Sequence, residues 1–232
     1  MSTAALLEQV IEELYARHTA DTEAAGVARR EYEERRGRVH QDDELWEPWS
    51  AAFVEWYVVE RVGPGGVPPA LMTAREMRDA GDARADLVTS LVTSHRSLFE
   101  VTAMKPGRIE VIDLLGGAEF HVDEQRAMHG VDVGDVAELR LVGTRPRSDR
   151  ELRAEGACEE GPIGHSVRFG RTFIYHPKAA RNAIVERSRA MLAKGSSRRD
   201  VIDQIAQLRV QVTRYRHMPP SRVYELGSRI MG

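Results

Sequence analysis

From residue 97 to residue 176 the apolar residues alternate along short stretches, whereas on either side they recur every three or four positions. That change of period, made once in each direction, limits the fold more than any other feature. Period two marks strands with one buried face; period 3.6 marks amphipathic helices. Helices gathered before and after a run of strands do not alternate with them as a parallel α/β sheet requires. The chain therefore reads as α+β, with N-terminal helices, a small antiparallel sheet or partly open barrel of about five strands, and a C-terminal helical hairpin. The boundaries fall at 1–95 (helical), 96–177 (β) and 178–232 (basic and helical), as one compact unit or as a body with a C-terminal appendage.

The strands read as SLFEVTAM (97–104), RIEVIDLL (108–115), AEFHVDE (118–124), VGDVAELRLVG (133–143) and HSVRFGRTFIYH (165–176). Lys-Pro-Gly and Gly-Gly separate the first three, which is hairpin punctuation. Gly170 interrupts the alternation of Val167, Phe169, Phe173 and Tyr175 and predicts a bulge there. The charged, Gly- and Pro-containing stretch 144–164 reads as a long surface loop, with disorder expected.

Residues 2–18 repeat Leu7, Val10, Ile11 and Leu14 at helical spacing. Residues 20–38 carry few apolar positions and fit either a solvated helix or a mobile connection. A helix starting near Glu47 holds all three tryptophans within eleven residues, Trp46, Trp49 and Trp56. Large aromatics at that spacing are expected to anchor the core. GPGGVPP (63–69) ends that helix, and helical character resumes over 73–95. Beyond Pro177 two helices follow, broken at Gly195 and restarted by Ser196 or Ser197, with a short third after Pro219-Pro220.

At 42% hydrophobic and 30% charged residues the chain is in the globular range. The first residues carry Glu8, Glu12 and Glu13 among their leucines and lack a basic start, so no signal peptide is expected, no membrane span is read, and a cytoplasmic, bacterial setting is expected. The single cysteine, Cys158, excludes an internal disulfide and a cysteine-based zinc site. Of the 33 basic residues only Lys105, Lys178 and Lys194 are lysines; codon bias of a GC-rich genome is the simpler reading, and selection for bidentate recognition of carboxylates or phosphates is opposed by the spread of the arginines over the whole chain. Charge is unevenly placed. Residues 178–232 hold twelve Lys or Arg against four acids, while residues 1–177 hold 21 against 32. Such asymmetry points to an acidic partner or to docking within the molecule.

No catalytic constellation is evident, and no cofactor is expected. The eight histidines form no paired metal motif. His121, Asp123 and His129 are the densest group that could take a divalent metal; His121 and Asp123 share one strand face, and the simpler reading is a solvated edge. Cys158 lies between acids, which oppose a reactive thiolate. Ser166 lacks the nucleophile-elbow pattern. Asp113, placed before a turn, is expected to bond backbone amides two residues on.

The pieces FVEWYVVERVGPGG (53–66), SLFEV (97–101), VIDLLGGAEFHV (111–122) and VGDVAELRLV (133–142) resemble an uncharacterised bacterial family, over about residues 45–143. Many of its members end in a Cys/His metal-binding motif called SEC-C. This chain lacks that motif, so the resemblance implies strands and turns but neither zinc nor an activity.

What remains is the basic C-terminal region, where Arg187, Arg189, Arg198, Arg199, Arg209, Arg214, Arg216 and Arg222 decorate amphipathic helices. Three destinations are open to them. They can pair with the acidic body of the same molecule or a dimer mate, dock on an acidic protein partner, or contact nucleic-acid phosphates. The last is disfavoured by the overall charge of −3. The expectation is a non-enzymatic interaction or regulatory protein that binds or sequesters a protein partner. A nucleic-acid-binding regulator using the same arginines and a metalloprotein or enzyme centred on residues 121–135 stand as alternatives.

Overall fold

Five strands close on themselves as a barrel in the order β1-β2-β3-β5-β4. They are β1 (His95–Lys105), β2 (Arg108–Asp113), β3 (Glu119–Asp123), β4 (Val136–Gly143) and β5 (Val167–His176). The computed structural model describes residues 3–63, 65–124, 130–143 and 167–227. The stretch 144–164, Cys158, Ser166 and His129 lie outside them. β1, β2 and β3 form an antiparallel meander; β4 returns beside the first half of β1, and β5 pairs with β4. Closure is made by β3 and β5, which run parallel at Val122 and Val167. The sheet is thus mixed where the sequence suggests an antiparallel one. The reason is parity: with an odd number of strands and every other neighbour antiparallel, the last pair must run the same way.

Alternate side chains fill the barrel. Phe99 and Val101, Ile109 and Val111, Phe120 and Val122, Ala137, Leu139 and Leu141, and Phe169 form one buried cluster. The expected bulge is at Gly170: Leu139 and Leu141 sit opposite Phe173 and Phe169, so β5 spends two extra residues there. A side chain at 170 would press on Arg140, whose Cβ and carbonyl oxygen lie 3.2 Å from an ideal Cβ.

The outward faces of the strands are also covered. α1 (Thr3–His18), α2 (Thr22–Arg36), α3 (Trp46–Val59), α4 (Pro69–Asp79) and α5 (Ala85–Val92) make one layer. α2 resolves the 20–38 alternative as a helix, capped by Asp21, whose carboxylate accepts the Glu23 and Ala24 amides. Its buried Tyr32 meets Trp49, Phe53 and Trp56 of α3 at ring separations of 5.3–6.2 Å. The tryptophans are core anchors, with Trp46 only partly buried. The helical stretch 73–95 is two helices rather than one, because Gly81 takes a left-handed φ of 70° and Asp82 receives the Arg84 amide at 2.8 Å.

After a 3-10 turn at Lys178–Ala180 come α6 (Arg181–Ala193), α7 (Arg198–Arg214) and α8 (Pro220–Leu226). Ser197 and Asp200 form a reciprocal capping box at the start of α7. α7 contributes to two cores: Ala206 and Val210 join the N-terminal layer, while Val201, Ile202, Ile205 and Leu208 pack with α6, Tyr224 and the outward residues Leu98 and Val136 of the barrel. No helix among the described residues is long and apolar enough to cross a membrane.

Candidate functional site

α7 presses a basic face onto the acidic body, and most of the C-terminal arginines turn inward. Arg198 binds the Asp113 carboxylate and donates to Ser97 Oγ at 3.1 Å. Arg199 lies 3.4 Å from Glu60. Arg209 donates to the Tyr175 carbonyl at 2.6 Å and pairs with Glu44 at 3.1 Å. Arg214 reaches the Arg38 carbonyl at 2.8 Å. Arg187 bonds Gln204 at 3.1 Å. Arg216 and Arg222 make only local contacts, to the Thr213 carbonyl and to Glu225. Arg189 has no ion pair among the described residues; it lines a cavity of about 440 Å³ between α6 and the β2–β3 turn.

Beneath this face is a continuous buried network. Arg36, the last residue of α2 and 1% exposed, binds Asp203 of α7 at 2.8 Å and Glu138 of β4 at 2.6 Å. Its guanidinium also lies 5.2 Å from the ring centroids of Tyr32 and Trp49. Arg96 of β1 continues the chain to Glu138 at 3.1 Å, Asp203 at 3.4 Å and Glu60 at 2.9 Å. Arg140 of β4 binds Glu60, lies 3.4 Å from Glu55, and donates to Ser94 Oγ at 2.9 Å. Glu55 in turn accepts the amides of Arg171 and Thr172, at 2.8 and 3.0 Å, in the β5 bulge. The bulge therefore exposes two backbone donors that a buried carboxylate uses. Burial pushes the Glu60 carboxyl upward, but the Arg96 and Arg140 guanidiniums outweigh it and hold its pKa at about 2.

Asp113 is a second hub. Its buried carboxylate accepts Ser97 Oγ–H at 2.6 Å, the Leu115 amide at 2.9 Å and His95 Nε2 at 3.0 Å, besides Arg198. The Leu115 bond is the turn contact expected of an Asp before a β-turn; the other three partners are new. Burial would raise its pKa, and the His95 hydrogen bond and Arg198 charge bring it down to about 2. The His95 ring is fixed as well, stacked on Phe120 and edge-on to Phe99 at 5.7 and 5.8 Å.

Both hubs open into one cleft of about 300 Å³, where the end of α3, the start of β1 and the first turn of α7 meet. Glu60, His95, Arg96, Arg140, Arg198 and Arg199 line it. Arg96 and Arg140 have every guanidinium nitrogen engaged. Arg198 keeps Nε and Nη1, and Arg199 keeps Nη1 and Nη2, without a hydrogen bond among the described residues. The cleft presents four guanidiniums and one carboxylate, with Glu55, Glu138, Asp203 and Asp113 behind the cationic layer. Such an arrangement can hold an anion through charge-assisted bonds.

Arg198 and Arg199 were legible in the sequence as basic candidates. Arg96 and Arg140 were missed, since charges on the outward face of a strand read as solvated; His95, on the other face of β1 beside Phe99 and Phe120, and Glu60, which ends α3, carry no local mark. The pattern Glu138-x-Arg140 between apolar inward residues was the available signal. Of the metal candidates, His121 and Asp123 are exposed together on β3, away from the cleft, and His129 lies outside the described residues; no group of three metal-capable side chains occurs among the described residues.

Comparison with known protein families, with curated proteins and with solved structures finds no match to this chain.

Proposed function

We propose that this protein acts by binding, and that it recognises an acidic protein partner through the arginine-lined cleft at the start of α7. The observation that carries this reading is the division of labour among the arginines. Arg96 and Arg140 have every nitrogen engaged, by buried carboxylates and Ser94, and form the floor, whereas Arg198 and Arg199 are adjacent, partly exposed and each keep two donor nitrogens without a partner among the described residues. A floor of paired, nearly buried charges costs little further desolvation when a ligand arrives, and the exposed edges of Arg198 and Arg199 then supply directional bonds. Arg209 and Arg214 are turned to the body's own acceptors and Arg187 to Gln204 of α7, so only part of the C-terminal basic surface is available to a partner. The third class of reading, a metal site at His121, Asp123 and His129, includes a residue outside those described, and the cleft gives it no support.

The test uses a fluorescein-labelled peptide carrying several glutamates and one phosphoserine, titrated by anisotropy at low salt. Saturable binding that Arg199→Gln weakens about tenfold (~1.4 kcal/mol) and Arg222→Gln leaves unchanged is the expected result. No binding, or equal loss in both variants, would sink the proposal.

A further inference from the structure

We propose that the acidic segment this protein recognises is extended and runs on past the cleft, along the outer side of α7, over Arg35 and Arg38 to Arg214. This rests on the reading above and gives the contact its length. Arg199, Asp203, Gln207, Val210 and Arg214 lie within about 80° of one another around α7, on a single stripe. The end of α2 is laid along that stripe. Arg36 binds Asp203 at 2.8 Å, an ideal Cβ on Gly37 would lie 3.6 Å from Gln207 and Val210, and the Arg38 carbonyl accepts Arg214 Nη2 at 2.8 Å. Arg36 turns into the core, while Arg35 and Arg38 turn out, with side chains 48% and 69% exposed. Arg214 spends one nitrogen on the Arg38 carbonyl, which fixes its place, and is otherwise exposed. The exposed guanidiniums of Arg199, Arg35, Arg38 and Arg214 thus follow one another over about 22 Å of helix.

The floor of the cleft is neutralised by its own carboxylates, and this row is not. Asp203 is taken by Arg36 and Arg96, and Arg35 comes no nearer to it than 4.0 Å. Glu33 is held by Arg29 at 3.0 Å, with Arg38 at 3.8 Å. Asp200 is bound in its capping box; its pKa is lowered first by Ser197 and further by the charges of Arg35 and Arg199, which both lie beside it. Arg214 meets no carboxylate among the described residues. Glu34, exposed on α2, offsets one of these charges and leaves the rest. An extended chain rises about 3.3 Å per residue and turns alternate side chains to one face, so about seven residues with acids at every second position cover the row. The overall charge of −3 opposes long-range attraction of a nucleic acid to the same arginines.

Two labelled peptides are titrated against the full chain by anisotropy, one of eight residues with glutamate at alternate positions and one of four residues with the same pattern. The long peptide should bind as one molecule per chain, about four- to twentyfold tighter than the short one, because it gains two exposed ion pairs. Arg38→Gln and Arg214→Gln should each weaken the long peptide about two- to fivefold and leave the short one unchanged. Arg199→Gln should weaken both peptides, and Arg222→Gln neither. Equal affinity of the two peptides, two long peptides per chain, or a long peptide indifferent to Arg38→Gln and Arg214→Gln overturns the extended contact while the cleft reading stands. Binding of neither peptide overturns both. A single-stranded oligonucleotide that binds more tightly than the long peptide, and loses affinity in the same variants, reassigns the row to nucleic acid.

Discussion

Replacing Arg36 by methionine removes the cation at the centre of the buried network and leaves the stem volume nearly filled. Two short bonds are lost, to Asp203 at 2.8 Å and Glu138 at 2.6 Å, each of a kind that contributes about 1.5–3 kcal/mol when one partner is charged. Arg96 still holds both carboxylates, at 3.1 and 3.4 Å, so neither is stranded entirely. The expected loss is therefore about 3–5 kcal/mol, the range for breaking a buried pair from one side. For a chain of this size that corresponds to a fall in Tm of roughly 6–20 °C. Urea unfolding followed by tryptophan fluorescence is a direct assay, since Trp49 packs against Arg36. The double variant Arg36→Met with Glu138→Gln removes one charge of each sign and should recover at least about half of the loss. A single-variant loss below about 1 kcal/mol would refute the idea that this buried cluster is energetically coupled, because surface pairs already reach that value.

His176 is buried, bonded through Nδ1 to the Tyr224 hydroxyl at 2.7 Å, and burial together with Arg209 and Arg36 lowers its pKa to about 3. The unfolded chain takes up a proton near pH 6.5 that the folded chain refuses, so stability should fall as pH drops through that value. At pH 5 the loss is about 2 kcal/mol, and His176→Asn should flatten the slope in pH-dependent urea titrations. Gly170→Ala should cost about 1–3 kcal/mol by thermal denaturation, since its methyl meets Arg140 and Glu55 at 3.2–3.3 Å. Ser197→Ala breaks the capping box and should cost about 1 kcal/mol in the same assay, without altering the far-ultraviolet circular dichroism at low temperature.

The elements were legible because they are written locally. Alternation placed all five strands, Gly170 announced its bulge, and Ser196 or Ser197 announced the start of α7. Closure of the barrel was less so, because the pairing of β3 with β5 depends on strand order and parity rather than on any residue of either strand. The site was least legible. Arg96, Glu138 and Arg140 follow the ordinary rule for a solvent face, and only the layer of helices laid over that face turns them into a buried network. His95 and Asp113 are eighteen positions apart, and nothing local marks them as neighbours. The charge imbalance between the two parts of the chain did point in the right direction: Arg198, Arg199 and Arg209 contact acids that precede residue 178.

The ion pair between Arg36 and Asp203 joins positions 167 residues apart, and it sets an order of events during synthesis. While α7 is still within the ribosome, Arg36 and Glu138 have emerged without Asp203, and the basic helix that covers Leu98 and Val136 is missing. A nascent chain in that condition has an exposed apolar barrel face and an unbalanced acidic surface. Long-range closure of this kind is slow to nucleate. The body can reach its final packing only after its counter-charge is released, so the barrel and its basic helices mature in one late step.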